Sequence, residues 1–322
     1  MNKLIAILVP GLASVLAAAV PAYSAESPPP EWAYPVNPPE FKPAPDDGAV
    51  RRVPGSAASY SLPQLRDRFL APDWHPAEYP PMPEVVARGR KPDVFACGFC
   101  HRADGPGGPE NASLAGLPAA YIAQQMSDYK SGVRKTSVPK RNIDLMISLA
   151  KAATDAEVDA AAAYFSSLKP KAIIRVVETD SVPKTYVAGW FLAAVKSGDK
   201  EALGQRIIEV PENLEQFEHR DTHARFIAYV PVGSIAKGEM LVKSGGSGKT
   251  IQCATCHGTD LKGVGAIPRI AGVSPSYSVR QLYDIKYGAR AGAASAQMKD
   301  VVSKLSADDM VSIAAYLASQ AP

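Results

Sequence analysis

Cys97-Gly-Phe-Cys100-His101 and Cys253-Ala-Thr-Cys256-His257 decide the reading of this 322-residue chain. Both spell Cys-x-x-Cys-His, and together they use all four cysteines. The pattern reads as covalent c-type haem attachment, with two thiols for thioether bonds and an adjacent imidazole for the iron. A turn of helix brings the three groups to one side, which accounts for the fixed spacing. A thioredoxin-like dithiol does not need the trailing histidine and would sit in a βαβ pattern, absent here. A Cys2His2 zinc site needs a second, separated ligand pair.

Outward from the motifs, residues 97–134 align with 253–290 without a gap. The identities include Asp104/Asp260, Gly107/Gly263, Tyr121/Tyr277, Gln125/Gln281, Asp128/Asp284 and Arg134/Arg290. After a short insertion in the first copy, Met146 pairs with Met298, and Ala162-Ala163-Tyr164 with Ala314-Ala315-Tyr316. Pro118–Ser131 and Pro275–Tyr287 carry apolar stripes that end at glycine, so helices are expected there. Thr154-Asp-Ala-Glu157 and Ser306-Ala-Asp-Asp309 read as capped starts of closing helices. Further short helices are expected over Pro83–Gly89 and Ala236–Ser244. Units this small bury little surface alone, so haem is expected to supply much of each core.

The repeat also nominates a sixth iron ligand at each site. Met146 and Met298 stand at matching positions ahead of the closing helices, and a soft, neutral thioether suits an electron carrier. The expected cofactor-binding set is therefore Cys97, Cys100, His101, Met146, Cys253, Cys256, His257 and Met298. The irons fall on His101, Met146, His257 and Met298. Met126 and Met310 read as core, Met240 as part of a leading helix, and Met82 as outside the repeat. His219 and His223 are four apart and could share a helix face, with Asp221 between them, as a metal site, though a solvated polar loop fits better. His75 could reach an iron only by displacing methionine.

On these motifs each half resembles a class I c-type cytochrome domain, and the pair resembles the dihaem cytochrome c4 family. Leu114-Ala-Gly116, Ile270-Ala-Gly272, the Tyr121 and Tyr277 helices and the closing Ala-Ala-Tyr helices carry the likeness. It implies two covalently attached haem c groups, His/Met ligation and electron transfer between respiratory partners. Pro268 stands where the family places a proline whose carbonyl accepts from the proximal imidazole. The first copy has Ala112 there, whose carbonyl can serve as well. The long connection between the halves departs from the family.

Composition bounds the rest. With 46% hydrophobic and 21% charged residues and a net charge of +3, the chain is globular, and nothing favours nucleic acid. Lys3 followed by the apolar run Leu4–Val20 and small residues at 22–25 reads as an export signal cleaved there. The expected location is periplasmic. Residues 28–83 hold more than half of the 29 prolines, together with Trp32, Tyr34, Phe41, Tyr60, Phe69, Trp74 and Tyr79. So many aromatics suggest an extended arm packed on the chain itself rather than a disordered linker. Residues 170–235 read as β-rich, with strands over Ile173–Glu178, Tyr186–Leu192, Arg206–Val210 and Phe226–Val232. Gly245-Gly-Ser-Gly-Lys-Thr250 echoes a phosphate loop, but Lys243 occupies the place of its first glycine, so no nucleotide is expected.

The expected fold is mainly α. A signal (1–25) and a proline- and aromatic-rich N-terminal arm (26–82) precede cytochrome c-like domain 1 (83–169). A small β-rich insert (170–235) and domain 2 (236–322) follow. The expected function is single-electron transfer between redox protein partners such as a dehydrogenase, a cytochrome complex or an oxidase, without catalysis. Docking on a membrane complex fits the arm and insert. The alternatives are a cytochrome subunit of a dehydrogenase or oxidase complex, and a dihaem peroxidase or sulfur-compound oxidoreductase. Positive charge on the second domain suits an acidic partner.

Overall fold

A computed structural model describes residues 28–139 and 141–322. The export signal read over residues 1–25 lies outside the described residues. The repeat appears as two sets of helices. The first holds Glu84–Ala87, Cys97–His101, Ala119–Ser131, Arg141–Ala152 and Asp155–Ser167. The second holds Ser234–Ser244, Ala254–His257, Pro275–Lys286, Ala296–Ser303 and Ala307–Ser319.

Local chemistry sets the ends of these helices. Thr154 Oγ1 accepts from the Glu157 N–H while the Glu157 carboxylate accepts from the Thr154 N–H, and Ser306 and Asp309 do the same for the last helix. These reciprocal bonds satisfy donors a helix start would otherwise leave orphaned. The Ala119–Ser131 helix stops at Gly132, whose φ of 77° is left-handed. Gly238 lets Ser234–Ser244 press against Ala307–Ser319, because any Cβ there would collide with the Ser312 carbonyl.

Each set closes on its own apolar core. Val86, Leu117, Ile122, Tyr164 and Phe165 anchor the first; Leu241, Leu305, Met310, Ala314 and Tyr316 anchor the second. Full burial of a side chain such as Phe165 contributes roughly 1.5–3 kcal/mol.

Residues 28–83 run along both sets. Ala33 and Tyr34 belong to the second core, where Tyr34 Oη donates to Asp284 Oδ1 at 2.8 Å and Arg280 donates to the Ala33 carbonyl at 2.8 Å. Trp74 packs with Val53 and Leu65, and its indole N–H donates to the His219 carbonyl at 2.8 Å.

Between the two sets, Ile208–Pro211 pairs antiparallel with Phe226–Val230, which pairs in parallel with Ile174–Glu178. The strand expected over Tyr186–Leu192 is instead a hairpin, Thr185–Ala188 against Phe191–Ala194. Gly189 and Trp190 both take positive φ, 60° and 79°, as a tight two-residue hairpin turn requires. Tryptophan is a poor choice for that conformation, and its backbone N–H donates to Asn37 Oδ1 at 3.2 Å. Ser181–Pro183 pairs with Lys200–Ala202.

Candidate metal centres

Each Cys-x-x-Cys-His motif forms a short helical turn, as its spacing demands. His101 Nδ1 lies 2.9 Å from the Ala112 carbonyl, and His257 Nδ1 lies 2.8 Å from the Pro268 carbonyl. A carbonyl only accepts, so each Nδ1 carries the proton and each Nε2 keeps a free lone pair. Burial lowers both imidazole pKa values, against the raising effect of the carbonyl bonds. Both rings are therefore disposed as neutral metal ligands. Ala112 does the work of Pro268 without the ring.

The thiols are unlike those of a dithiol oxidoreductase. Burial pushes Cys97 up to about 12 and Cys253 up to about 11, and it raises Cys100 as well. Redox-active pairs carry the opposite shift.

Both motifs open into one continuous cavity of about 1420 Å³. That exceeds the roughly 300–1,000 Å³ usual for a single small-molecule site. Cys97, Cys100, His101 and Met146 line it from the first set; Cys253, Cys256, His257 and Met298 line it from the second. All eight residues singled out in the sequence thus converge on a single space. Its walls include Leu114, Leu117, Phe165, Ile270, Leu282 and Leu317. Paired thiols, a lone-pair imidazole, a thioether and apolar walls are a donor set that fits haem c at each motif.

Met146 rides on Arg141–Ala152 and Met298 on Ala296–Ser303, both half-buried. Met310 is buried core, and Met240 is 52% exposed on the surface. Met126, which the apolar stripe assigns to the core, also lines the cavity, as does its repeat partner Leu282. His219 lines the cavity; His75 does not.

A polar seam joins the two sets, and its members carry no label in the sequence beyond their identity in the repeat. Arg134 and Arg290 pair as an antiparallel bridge. Arg134 donates to Gln125 at 2.7 Å, and across the seam to Tyr277 Oη and Gln281 Oε1, each at 3.1 Å. Arg290 donates to Gln281 at 3.0 Å, and across the seam to Tyr121 Oη and Gln125 Oε1, each at 2.9 Å. Burial would raise the Tyr121 pKa, but the Arg290 and Arg134 guanidinium groups outweigh it and lower it. Arg269 extends the seam to Ser113 Oγ at 3.0 Å, and Arg280 reaches the Pro109 carbonyl at 2.5 Å. Tyr121, Gln125, Arg134, Tyr277, Gln281 and Arg290 all line the shared cavity.

The two motifs differ in cover. Gly98 and Phe99 are buried, Arg220 stacks 3.5 Å over the Phe99 ring, and it donates to the Phe99 carbonyl at 2.7 Å. Cys256 is exposed, and Ile251 and Val264, five residues before it and eight after it in the chain, are 49% and 58% exposed.

Residues 86–169 and 235–321 each match the family model described as cytochrome c. Among curated proteins, the chain is 28% identical over 234 residues to the thiosulfate dehydrogenase electron acceptor of Thiomonas intermedia, covering 71% of this chain and 80% of the relative. It is 25% identical over 228 residues to the cytochrome c4 of Azotobacter vinelandii, covering 69% and 82%. Among solved structures, it is similar to the thiosulfate dehydrogenase TsdBA from Marichromatium purpuratum, at 27% identity and a TM-score of 0.49. That match covers 72% of this chain and 38% of the other, so the chain spans well under half of that structure's length. Two haem c groups are covalently bound, with Cys97/Cys100 and Cys253/Cys256 in the attachment motifs. With family matches at both motifs and cytochrome c4 among its relatives, the chain belongs to the cytochrome c family, as a dihaem, cytochrome c4-like member.

Proposed function

We propose that this electron-transfer protein is an exported periplasmic carrier whose two irons are closed by His101 with Met146 and by His257 with Met298. The observation that carries the reading is the convergence of these residues, from matching places in the repeat, on one cavity. Bound haem c supplies a one-electron ferric/ferrous couple. The protein's part is to hold, shield and connect. The Ala112 and Pro268 carbonyls fix the imidazole tautomers and orientations. Apolar walls exclude water, and a thioether at each sixth position raises the potential and leaves no exchangeable site. That favours a carrier over an enzyme. The Arg134–Arg290 seam holds the two centres to one cavity, so an electron accepted at one has a short path to the other.

The domain plan is an arm at 26–82, haem domains at 83–169 and 236–322, and a β-rich insert at 170–235. Arm and insert act as cover for the first motif through Arg220 and Ala71, whose methyl group leaves no space for a side chain at Gly98. The second motif, with Cys256 exposed and the exposed apolar residues Ile251 and Val264 on either side of it in the chain, is then the port for redox partners. Two relatives named thiosulfate dehydrogenase electron acceptor, each covered over about four-fifths of its length, favour a sulfur-compound dehydrogenase as donor.

Reductive titration of the purified protein tests this reading. Two one-electron equivalents per chain, with a faster rate when a thiosulfate dehydrogenase and its substrate supply them, are expected. Turnover of peroxide, or of thiosulfate by the protein alone, would overturn it.

A further inference from the structure

Outside the cavity, the arm and the segment after Leu214–Glu218 meet at a cluster of metal-binding side chains. His75 and Asp221 are buried and His223 is exposed; one donor atom from each lies within 4.8 Å of the others. His75 Nε2 is 3.0 Å from Asp221 Oδ1. The His75 and His223 rings stack 3.8 Å apart at an angle of 11°. His223 Nε2 is 2.7 Å from Glu78 Oε1. His219, which the sequence offers as the partner of His223, is not among these donors.

We propose that His75, Asp221 and His223 form a binding site for one zinc-like divalent cation, with Glu78 as the fourth donor. Two imidazoles and two carboxylates are a borderline nitrogen–oxygen set that suits zinc. Calcium and magnesium call for oxygen throughout. No cysteine is near enough to recruit a soft ion such as copper(I).

The geometry needs little change. Zinc bonds of about 2.0–2.2 Å place tetrahedral donors roughly 3.3 Å apart. His75 Nε2 and Asp221 Oδ1, at 3.0 Å, need to part by only about 0.3 Å to reach it. Asp221 is fixed by Gln216 Nε2 at 2.7 Å and by the His223 N–H at 3.0 Å. Only His223 and Glu78, the two exposed members, must swing inward, and their side is the entry path.

The ligands come from chain segments 146 residues apart. An ion here therefore staples the arm to the insert. Glu78 and Asp104, three residues after His101, both pair with Lys171 at 2.9 Å, which links the staple to the first haem unit. This inference does not rest on the haem ligand assignment.

The test uses the full dihaem protein, stripped with a chelator and titrated with zinc alone by calorimetry and metal analysis. One zinc per chain beyond the two irons is expected, together with a rise in the melting temperature. His223→Ala and Glu78→Gln, both at exposed positions, should fold normally and keep the haem spectrum. The first should weaken zinc binding at least ~10-fold and abolish the thermal shift. His75→Ala should do the same where it folds. Failure of the wild-type protein to bind zinc overturns the proposal. So does wild-type affinity in His223→Ala, which would mark adventitious surface binding.

Discussion

Arg134 and Arg290 occupy the same place in the two halves of the repeat, and each sends its guanidinium across to the tyrosine and glutamine that mirror its own. The exchange gives the dihaem protein an approximate two-fold seam. Backbone bonds reinforce it: the Lys135 N–H donates to Ala289 at 2.7 Å and the Ala291 N–H to Val133 at 2.8 Å.

A seam of this kind predicts that the two haem units unfold as one cooperative body. Each charged hydrogen bond contributes roughly 1.5–3 kcal/mol, and a buried partner left unpaired costs more. Replacing Arg134 and Arg290 together by alanine should split a single calorimetric transition into two. A double variant that still melts in one transition, at the wild-type temperature, would deny the seam that role.

The thioether assignment is tested by exchanging the ligand. In Met298→His, one of the two redox waves should fall by a sizeable share of the roughly 0.8 V range that axial ligands command, while the other stays in place. Two unmoved waves would remove Met298 from the iron.

Asp309 gives a pH dependence of known sign. Its carboxylate is buried, yet it takes Lys249 at 2.6 Å, Lys237 at 2.8 Å and Ser306 Oγ at 2.7 Å. Burial alone would raise its pKa, but the two ammonium groups and Ser306 hold it well below the usual carboxylate range. The folded pKa is thus below the unfolded value of about 3.9. The stabilisation is present above that value and is lost as pH falls toward the folded pKa. Asp309→Asn should cost about 1.5–3 kcal/mol at neutral pH, the worth of a charged hydrogen bond, and flatten the acid limb of the stability curve. Parallel acid limbs in urea melts at stepped pH would contradict this.

Trp74 measures how much the arm matters. Its side chain is almost wholly buried and its N–H bonds the His219 carbonyl. Trp74→Ala should cost about 3–5 kcal/mol in denaturant melts, with the seam variants adding independently. A loss under 1 kcal/mol would mean that the arm only lies on the surface.

How much of this was legible in the sequence follows the range of each signal. The Cys-x-x-Cys-His motifs, the caps at Thr154 and Ser306 and the glycine stop after Ser131 are local, and the chain states them outright. The hairpin at Gly189-Trp190 was hidden, because a run of Tyr, Val, Phe and Leu reads as one strand and Trp190 is an unexpected residue at positive φ. Distance in sequence hid the rest. Arg134 meets Tyr277 across 143 residues, and His75 meets Asp221 across 146. Only the repeat hinted at the seam, by repeating Tyr, Gln and Arg at places where haem attachment does not require them. Nothing comparable marked His75, whose partners lie in a segment without a repeat copy.

The central claim is that methionine closes both irons. The most direct measurement is a carbon monoxide difference spectrum of the fully reduced, full-length protein, with haem counted on the same sample. The account predicts two haems per chain and no carbon monoxide adduct at neutral pH. A rapidly formed adduct at either iron would contradict it.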